Sequence, residues 1–312
     1  MENNNMTSTD WTIENITDLT GKTILVTGGN SGLGFEAVKA FALKGAHVVM
    51  ACRSVNKGEV AKKQIIDFNP KADILIMELN LTNLESIRSF VNLFKENHSR
   101  LDVLLNNAGI MMVPYGLTKN GFENQLGTNH LGHFALTGLL LDLLKKTPKS
   151  RVVNVSSMAH KSGVMDFDNL LYENGKDYSP MKAYGRSKLS NLLFTYELQR
   201  FFEANKIDCI ALAAHPGVSD TNLFNHAAPK WILNLLKPLF LFMIQPASMG
   251  ALPEIRASVD QNVKGGEFYG PNGKREMKGF PVIVKSTAAS YDKESACKLW
   301  EISEKLTSVK FA

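Results

Sequence analysis

Tyr184 and Lys188 are the residues of this 312-residue chain whose types and spacing point most directly to chemistry. They enclose the run YGRSK, so on a helix they would lie one turn apart on the same face. An isolated phenol has a pKa of about 10, and work near neutral pH needs a decrease worth about 4 kcal/mol. A lysine charge about 4 Å away supplies about 4 kcal/mol at an effective dielectric constant near 20. With the charge of an oxidised nicotinamide added, the pair predicts a general acid/base that exchanges a proton with a carbonyl or an alcohol.

The second element of this chemistry is a glycine-rich loop, TGGNSGLG at residues 27–34, between an apolar strand and an amphipathic helix. Glycine lets the backbone turn tightly and approach a pyrophosphate, and the positive end of the following helix then faces that phosphate. The strand–loop–helix context favours a dinucleotide site over an ordinary loop, although the spacing GxxxGxG differs from the commoner GxGxxG. The candidate contacts in this loop are Gly28, Asn30, Ser31, Gly32, Leu33 and Gly34.

The end of the second predicted strand indicates which dinucleotide binds. A carboxylate at this point would hold the free ribose hydroxyls of NAD and repel a 2′-phosphate. The strand instead ends in neutral Cys52 and then Arg53, whose planar guanidinium suits a phosphate. The sequence therefore predicts NADP(H), with a solvated surface role for Arg53 as the alternative.

Short apolar runs alternate with longer amphipathic runs along the chain. Most of the apolar runs carry Val, Ile and Leu at consecutive positions, which indicates parallel strands buried on both faces. Strict alternation of strand and helix predicts a doubly wound parallel sheet, an α/β Rossmann fold, in a single domain. The predicted strands are Thr23–Thr27, His47–Ala51, Ile74–Leu79, Val103–Asn106, Val152–Val155, Cys209–Ala213 and Glu267–Tyr269. The predicted helices are Gly32–Lys44, Asn56–Phe68, Leu84–Asn97, Phe122–Lys145, Ala183–Asn205, Pro246–Val259 and Tyr291–Leu306.

Two regions depart from this alternation. Residues 1–18 begin with a polar, asparagine-rich stretch and are expected to form a flexible N-terminal tail, followed by one domain over residues 19–312. Residues 220–245 are expected to form an inserted substrate lid, because large apolar residues recur there at roughly helical spacing. Helix packing, a subunit contact and a peripheral membrane contact are the alternatives for that segment.

Composition argues against several classes of protein. Hydrophobic residues make up 44% of the chain and charged residues 21%, which is ordinary for a globular protein. The net charge of +5 is mild and no basic run is interleaved with aromatics, so nucleic acid is not an expected partner. No apolar run reaches the roughly 20 residues that span a bilayer. Three scattered cysteines favour a reducing, cytoplasmic location. His130 and His133 share a predicted helical face without a carboxylate partner, so no metal site is expected.

Several motifs stand in one order along the chain, and together they resemble the short-chain dehydrogenase/reductase family. They are the loop at residues 27–34, NNAG at 106–109, Asn129, Ser156-Ser157, the pair Tyr184 and Lys188, and Pro216-Gly217. The runs ACRS at 51–54, NHLGHF at 129–134 and NVSSMAH at 154–160 are most similar to the retinol dehydrogenase and protochlorophyllide reductase branch. The resemblance is close from residue 19 to residue 221 and looser beyond.

The resemblance implies a role for each matching position. Tyr184 would exchange the proton with the substrate oxygen, Ser157 would hydrogen-bond that oxygen, Lys188 would also hold the nicotinamide ribose, and Asn129 would connect Lys188 to bulk water. The family's aspartate after the third strand is Asn80 here, which could still offer a carbonyl acceptor. A homodimer through the two long predicted helices is a further expectation. The remaining implied cofactor contacts are Leu81, Asn106, Ala108, Gly109, Pro216, Gly217 and Thr221.

These observations favour an NADP-dependent oxidoreductase that acts on a small apolar aldehyde, ketone or alcohol, with Tyr184 as the general acid/base. A ring reductase of the protochlorophyllide type is one alternative, since it shares the tyrosine–lysine pair. A non-catalytic NADP-binding sensor is another, although such a protein would not need Ser157, Tyr184, Lys188 and Asn129 together.

Overall fold

A computed structural model describes residues 10–219 and 245–312. Within them, the strands β1 to β8 are, in chain order, Thr23–Thr27, His47–Cys52, Asp73–Glu78, Val103–Asn106, Ser150–Val155, Cys209–Ala214, Phe268–Pro271 and Pro281–Ile283. They form one sheet in the order β3-β2-β1-β4-β5-β6-β7-β8. Neighbours are parallel except β7 and β8, which run antiparallel.

Helices cover both faces of this sheet and enclose a hydrophobic core on each side. The helices α1 to α10 are, in chain order, Gly32–Leu43, Val55–Phe68, Leu84–Asn97, Asn124–Leu126, Gly132–Leu139, Leu141–Lys146, Pro180–Ala204, Ala247–Gly250, Leu252–Val259 and Lys293–Thr307. In β1, Ile24 and Val26 contribute to one core and Leu25 to the other, which is why this strand is apolar at consecutive positions. The predicted doubly wound α/β fold is confirmed.

The predicted single helix over Phe122–Lys145 is wrong, because this stretch contains several segments. The short helix α4 is followed by π-helical turns over Gly127–Leu131, then by α5, and Leu140 separates α5 from α6. Glu123 precedes α4 and its carboxylate accepts hydrogen bonds from two backbone N–H groups of the first turn. An amphipathic pattern alone does not distinguish π-helical turns from a continuous α-helix.

The sheet also differs from the prediction at its two edges. At one edge, β3 has only Ile74 and Met77 buried and Leu75 is 37% exposed, so this strand is partly open to solvent. At the other edge, β8 was not predicted. It has three residues and begins with Pro281, and the short length and the proline weaken the strand signal of the two β-branched residues that follow.

Residues 10–18 are an ordered part of the fold, in contrast to the flexible tail expected through residue 18. A helical turn at Ile13–Asn15 is closed by a capping box from Thr12. Trp11 and Ile16 on either side are buried in the core that α1 covers. The burial of these two apolar side chains explains why this segment does not behave as a solvated tail. Residues 1–9 and 220–244 lie outside the described residues, and with them Thr221 and all of the expected lid except Gln245.

In the described ranges, no helix combines the length and the apolar character that crossing a bilayer requires.

Candidate active site

The carboxyl ends of the parallel strands meet at one edge of the sheet, and a cleft of about 400 Å³ opens there. A second cavity of about 330 Å³ adjoins it. Four residues line both spaces, namely Leu33, Met111, Tyr184 and Pro216. Tyr184 therefore lies where the cleft and the second cavity meet. Open α/β sheets bind ligands at this edge.

The glycine-rich loop forms one wall of the cleft. Gly28 has a φ of +68°, and a Cβ on it would come within 3.1 Å of Ala108, so this position requires glycine. Ser31 precedes the first turn of α1, and its side chain does not cap that helix. Ser31, Gly32 and Leu33 all line the cleft, so the positive N-terminal end of α1 lies at the cleft wall. Gly34 does not line the cleft. Glycine is needed there for packing, because a Cβ would collide with the Asn107 side chain and the Gly28 carbonyl. Of the predicted loop residues, those that line the cleft are Gly28, Asn30, Ser31, Gly32 and Leu33.

The region expected to hold the adenosine half lies at the ends of β2 and β3. Arg53 is exposed at the rim of the cleft, and Asn80 and Leu81 line it. The Asn80 Oδ1 atom accepts hydrogen bonds from the Thr82 N–H at 3.1 Å and from the Thr82 hydroxyl at 2.8 Å. The carbonyl acceptor expected of Asn80 is thus engaged within the protein, and its Nδ2 is the remaining donor.

Tyr184 and Lys188 lie together on α7, as the sequence predicts, and both face the cleft. Tyr184 is 7% exposed and Lys188 is 4% exposed. The Lys188 Nζ atom donates to the Val155 carbonyl oxygen at 2.9 Å and lies 5.8 Å from the centre of the Tyr184 ring. The helix thus places an ammonium beside a phenol at the end of β5.

Burial dominates the ionisation of both groups. It raises the pKa of Tyr184 to about 12, against the lowering effect of a hydrogen bond with the Ser157 side chain. It lowers the pKa of Lys188 to about 8, against the opposing charge of Glu254. Among the protein's own groups, the decrease in the Tyr184 pKa that was expected from Lys188 is not seen, because burial raises this pKa and only the Ser157 hydrogen bond opposes it. At neutral pH, Tyr184 is a phenol that can donate a proton.

Ser157 lies beside Tyr184 on the wall of the second cavity. It precedes the 3-10 turns at Met158–Ser162, where its Oγ atom accepts a hydrogen bond from the Ala159 N–H at 3.2 Å. The hydroxyl can still donate, because a serine oxygen both donates and accepts. Ser157 and Tyr184 thus present two hydroxyl groups to the junction of the two spaces.

Asn129 lies behind the cleft wall, in the middle of the π-helical turns, and is fully buried. Its amide makes two bonds to the backbone of Ile110, at 2.8 and 2.9 Å, and a third to the Ser187 hydroxyl at 2.9 Å. A Cβ on Gly109 would lie 3.1 Å from the Asn129 Oδ1 atom and 3.5 Å from the Lys188 Nζ atom. Asn129 and Lys188 therefore approach each other behind Gly109. Turns of π-helix are frequent at functional sites.

The structure does not bring Asn106 to the cleft. Its side chain is buried in the core, where Nδ2 donates to the Thr137 hydroxyl at 3.1 Å and to the Asn154 amide oxygen at 2.8 Å. The next residue, Asn107, lines the cleft instead. At the end of a strand, one step along the chain reverses the face to which a side chain points. The predicted Ala108, Gly109 and Pro216 line the cleft, and Gly217 lines the second cavity.

Other lining residues were not predicted as contacts. Thr128 lines the cleft, and its buried hydroxyl has no hydrogen-bond partner within the described residues. Its position next to Asn129 is the one signal that the sequence offers for it. The wall of the second cavity also contains four methionines, Met111, Met112, Met158 and Met181. A methionine that fills a core and one that lines a pocket look alike in a sequence.

A glycine-loop cleft at the carboxyl edge of a doubly wound sheet, with a tyrosine and a lysine beside it, defines a nicotinamide-dependent oxidoreductase. Residues 22–230 match the family model for short chain dehydrogenases, and the chain belongs to that family. Its activity is accordingly the oxidation or reduction of an alcohol or carbonyl group.

The relatives confirm the predicted branch of the family. Human retinol dehydrogenase 11 is 41% identical over 246 residues, which cover 79% of this chain and 75% of that protein. Human retinol dehydrogenase 13 is 36% identical and covers 93% of this chain and 85% of its own length. The chloroplastic short-chain dehydrogenase TIC 32 B of Brassica napus is 36% identical, with 91% and 88% covered. A solved structure of an uncharacterized protein from Mycobacterium paratuberculosis has a TM-score of 0.81 and 40% identity, over 97% of this chain and 100% of that chain.

Proposed function

We propose that this protein is an NADP(H)-dependent oxidoreductase of small apolar aldehydes, ketones or alcohols, in which Tyr184 is the general acid/base. The observation that supports this most is the position of Tyr184 between two spaces. One is the cleft with the glycine loop, and the other is lined mainly by apolar groups, four of them methionine thioethers. Methionine adapts to irregular apolar shapes. A substrate in the second cavity would present its oxygen to Tyr184.

The residues of the cleft fit a nicotinamide dinucleotide. Gly28 and Gly109 are positions where a Cβ would reduce the available space, and the N-terminus of α1 suits a pyrophosphate. The unpartnered Thr128 hydroxyl and the Lys188 ammonium suit hydroxyl and amide groups of a ligand. The bound nicotinamide would supply or accept the hydride. Arg53 at the rim supports NADP(H) over NAD(H), because a guanidinium can bind the 2′-phosphate through two hydrogen bonds.

The residues around Tyr184 would act on the oxygen of the substrate. In reduction, the Tyr184 phenol donates its proton to that oxygen, and the Ser157 hydroxyl donates a hydrogen bond that stabilises its developing charge. A pKa raised to about 12 keeps Tyr184 protonated before the reaction. Lys188, with a pKa of about 8 and its Nζ atom 5.8 Å from the centre of the Tyr184 ring, can return a proton near neutral pH. Asn129 holds the Ile110 backbone in place beside it.

Two further expectations belong to this proposal. The reducing cytoplasm is the proposed location, supported by Cys52, Cys209 and Cys297, which are all free thiols in the structure. A homodimer is the proposed assembly.

The test is a spectrophotometric assay of NADPH and NADH consumption against apolar aldehydes and ketones, with short polar carbonyls for comparison. We expect turnover of the apolar compounds with NADPH. Tyr184→Phe should lower turnover by about 10³-fold, since a positioned acid or base contributes 10²–10⁴-fold, and NADPH binding should persist. Tyr291→Phe, outside both spaces, is the matched control.

Full turnover by Tyr184→Phe would refute the role of Tyr184, and a clear preference for NADH would refute the role of Arg53. Light-dependent reduction of a protochlorophyllide-type ring would favour the alternative reductase, and tight NADPH binding without turnover would favour the sensor.

A further inference from the structure

The second cavity is bounded by two irregular segments, and their conformation depends on contacts with residues outside the cavity. One wall is formed by residues of the 157–162 segment, and the facing wall by Pro216, Gly217, Val218 and Ser219. The first segment is a pair of 3-10 turns, and the second follows β6 without being strand or helix. Short irregular segments of this kind depend on contacts with their surroundings for a fixed conformation.

Glu276 contacts both segments from outside the cavity. It lies on the turn between β7 and β8. One carboxylate oxygen lies 3.4 Å from the Lys161 ammonium, which belongs to the wall that begins at Ser157. The other oxygen lies 3.0 Å from the Nε2 atom of His215, which directly precedes the wall that begins at Pro216. One carboxylate thus connects two segments that are far apart along the chain.

The hydrogen bonds of His215 fix its tautomer. Its Nδ1 atom accepts a hydrogen bond from the Gly217 N–H at 3.2 Å, so this nitrogen carries no proton. Neutral His215 therefore has its proton on Nε2 and donates it to Glu276. The ring is fully buried, and a Cβ on Gly270 would collide with it, so only glycine there leaves room for the ring. A continuous chain of polar contacts runs from Gly217 through His215 and Glu276 to Lys161.

The backbone of the same turn supports this wall at two other points. The Val218 N–H donates to the Met277 carbonyl oxygen at 2.8 Å. The Gln245 side chain donates to the Pro216 carbonyl oxygen at 2.8 Å and accepts from the Gly279 N–H at 3.0 Å.

The turn itself is held in an unfavourable conformation. Arg275 and Glu276 have φ values of +56° and +59°. Left-handed conformations of this kind are uncommon for residues other than glycine and persist when the surroundings impose them. The contacts of Glu276 with His215 and Lys161 are part of the surroundings that impose this conformation.

From these contacts we infer that Glu276 is a positioning residue, which sets the separation of the two walls of the second cavity through His215 and Lys161 and thereby determines how well a substrate fits. The substrate part of this inference rests on the proposed function. Glu276 itself contacts neither the cleft nor the cavity. Its loss should loosen the wall at 216–219 and leave the glycine loop and Arg53 unchanged.

The first experiment needs no turnover. Amide hydrogen exchange is measured at Gly217 and Val218 in the wild-type protein, Glu276→Ala, Glu276→Gln and Lys274→Ala. Lys274 is an exposed cation on the same turn and serves as the matched control.

We expect exchange about 10-fold faster in Glu276→Ala, because a hydrogen bond to a charged group holds the segment closed. Glu276→Gln, which can still accept from His215, should lie between wild type and Glu276→Ala. Wild-type exchange in Glu276→Ala would overturn the inference, as would an equal increase at β1 and β4, since that would indicate a general loss of stability.

The second experiment separates substrate from cofactor. We expect kcat/KM for an apolar carbonyl to decrease about 10-fold in Glu276→Ala, with the NADPH Kd changed less than about 2-fold. An equal loss of NADPH affinity, or an unchanged kcat/KM, would overturn the inference. If the wild-type protein reduces no carbonyl while exchange at Gly217 responds to Glu276→Ala, then the proposed function fails and the positioning of this wall stands.

The acid side of the pH profile gives a readout that loosened packing would not produce. Burial lowers the pKa of His215, while the Glu276 carboxylate raises it and the Lys161 charge lowers it. Once His215 is protonated, its Nδ1–H faces the Gly217 N–H and that bond is lost. Without the negative charge of Glu276, protonation of His215 needs a lower pH. The acid limb of kcat/KM should therefore move to lower pH in Glu276→Gln, and an unmoved or opposite limb would contradict the inference. Among the described residues, His160, whose own pKa burial lowers, also interacts electrostatically with this ring.

Discussion

At the carboxyl edge of the sheet, Lys188 is buried with one hydrogen bond, to a backbone carbonyl, and no described carboxylate lies within hydrogen-bonding distance of it. At the amino edge, just before β4, Asp102 is equally buried, but it contacts the guanidinium of Arg100 at 2.7 and 2.8 Å and the ammonium of Lys22 at 3.1 Å. The same fold thus buries one ion without a hydrogen-bonded carboxylate among the described residues, and surrounds another with donors.

The two edges consequently have opposite effects on the charged form of the buried group: the charged form of Lys188 is disfavoured and that of Asp102 is favoured. Burial lowers the pKa of Lys188 to about 8, close to the pH at which proton transfer is useful. Burial alone would raise the pKa of Asp102, but hydrogen bonds from Arg100, Thr23 and Lys22 outweigh it and hold that pKa below its ordinary value. An unpaired buried charge costs stability and gains reactivity, whereas a paired one contributes to stability. Substitutions at the two edges should therefore have opposite effects on activity and on stability.

Lys188→Met should have the largest effect. We expect kcat/KM to decrease by at least about 10²-fold, because the ammonium beside Tyr184 is lost. The free energy of unfolding should stay constant or increase, because Lys188 has no hydrogen-bonded carboxylate among the described residues and the cost of burying its charge is removed. In the wild-type protein, the Lys188 ammonium is present below about pH 8 and lost above it. The kcat/KM for NADPH should therefore decrease above about pH 8, and Lys188→Met should lack this alkaline limb.

Lys182→Met, at an exposed position on the same helix, is the control and should change neither activity nor stability. A strongly destabilised but active Lys188→Met protein would contradict the assignment of this residue to function.

Arg53→Ala should have the next largest effect. We expect kcat/KM for NADPH to decrease by about 10- to 100-fold, the effect of losing hydrogen bonds between charged groups. The kcat/KM for NADH should change little, because NADH has no 2′-phosphate. Lys71→Ala removes a positive charge from the exposed turn before β3 and should leave the preference unchanged. Equal losses with both cofactors would remove the support that Arg53 gives to NADP(H).

The predicted residues that the structure places at the cleft have local signals in the sequence. Gly28 and its neighbours combine a strand, a glycine loop and a helix within a few residues, and Tyr184 and Lys188 are related by one helical turn. The positions that it missed depend on distant parts of the chain. Asn106 points into the core because of Thr137 and Asn154.

The electrostatic expectation had a similar limitation. Lys188 lies beside Tyr184 as expected, but the burial of both groups depends on the whole fold, and burial decides their pKa values. A spacing rule predicts that two side chains are neighbours, and it does not predict how much water reaches them. For the same reason, Glu276 carries no sequence signal, since its partners His215 and Lys161 are brought to it by other elements.

Asp102→Asn is expected to destabilise the protein and to leave activity unchanged. The free energy of unfolding should decrease by about 2 kcal/mol, since the Arg100, Lys22 and Thr23 donors lose a charged acceptor. Because the pKa of Asp102 is lowered in the folded protein, this contribution is fully present above its unfolded value of about 3.9 and is lost as the pH falls through the folded value. The difference between wild type and Asp102→Asn, measured by urea denaturation, should therefore shrink in acid.

Asp67→Asn is the matched comparison. Asp67 forms an exposed pair with Lys63 on α2, and such pairs contribute less than about 1 kcal/mol. If both substitutions had the same effect on stability, burial would not be what distinguishes the amino edge.

A smaller effect than that of Asp102→Asn is expected for His98→Gln, at the same edge. The Nδ1 atom of His98 lies 3.0 Å from the Phe94 carbonyl oxygen, and the Nδ1 atom of His47 lies 2.8 Å from the Asp73 carboxylate. Both Nδ1 atoms must therefore donate. The two Nε2 atoms are 3.0 Å apart, so a single further proton between them completes the hydrogen bond.

Burial lowers the pKa of His98, so its ring resists protonation in the folded protein. A lowered histidine pKa means that the folded state binds protons less readily than the unfolded one. The contribution of His98 is then fully present above the ordinary value of about 6.5 and is lost as the pH falls. At neutral pH, His98→Gln should reduce the free energy of unfolding by about 1 kcal/mol, and the wild-type advantage should diminish toward pH 5. An advantage that grows in acid would mean that His98 itself is charged in the fold, and that this edge stabilises an added positive charge as well as the negative charge of Asp102.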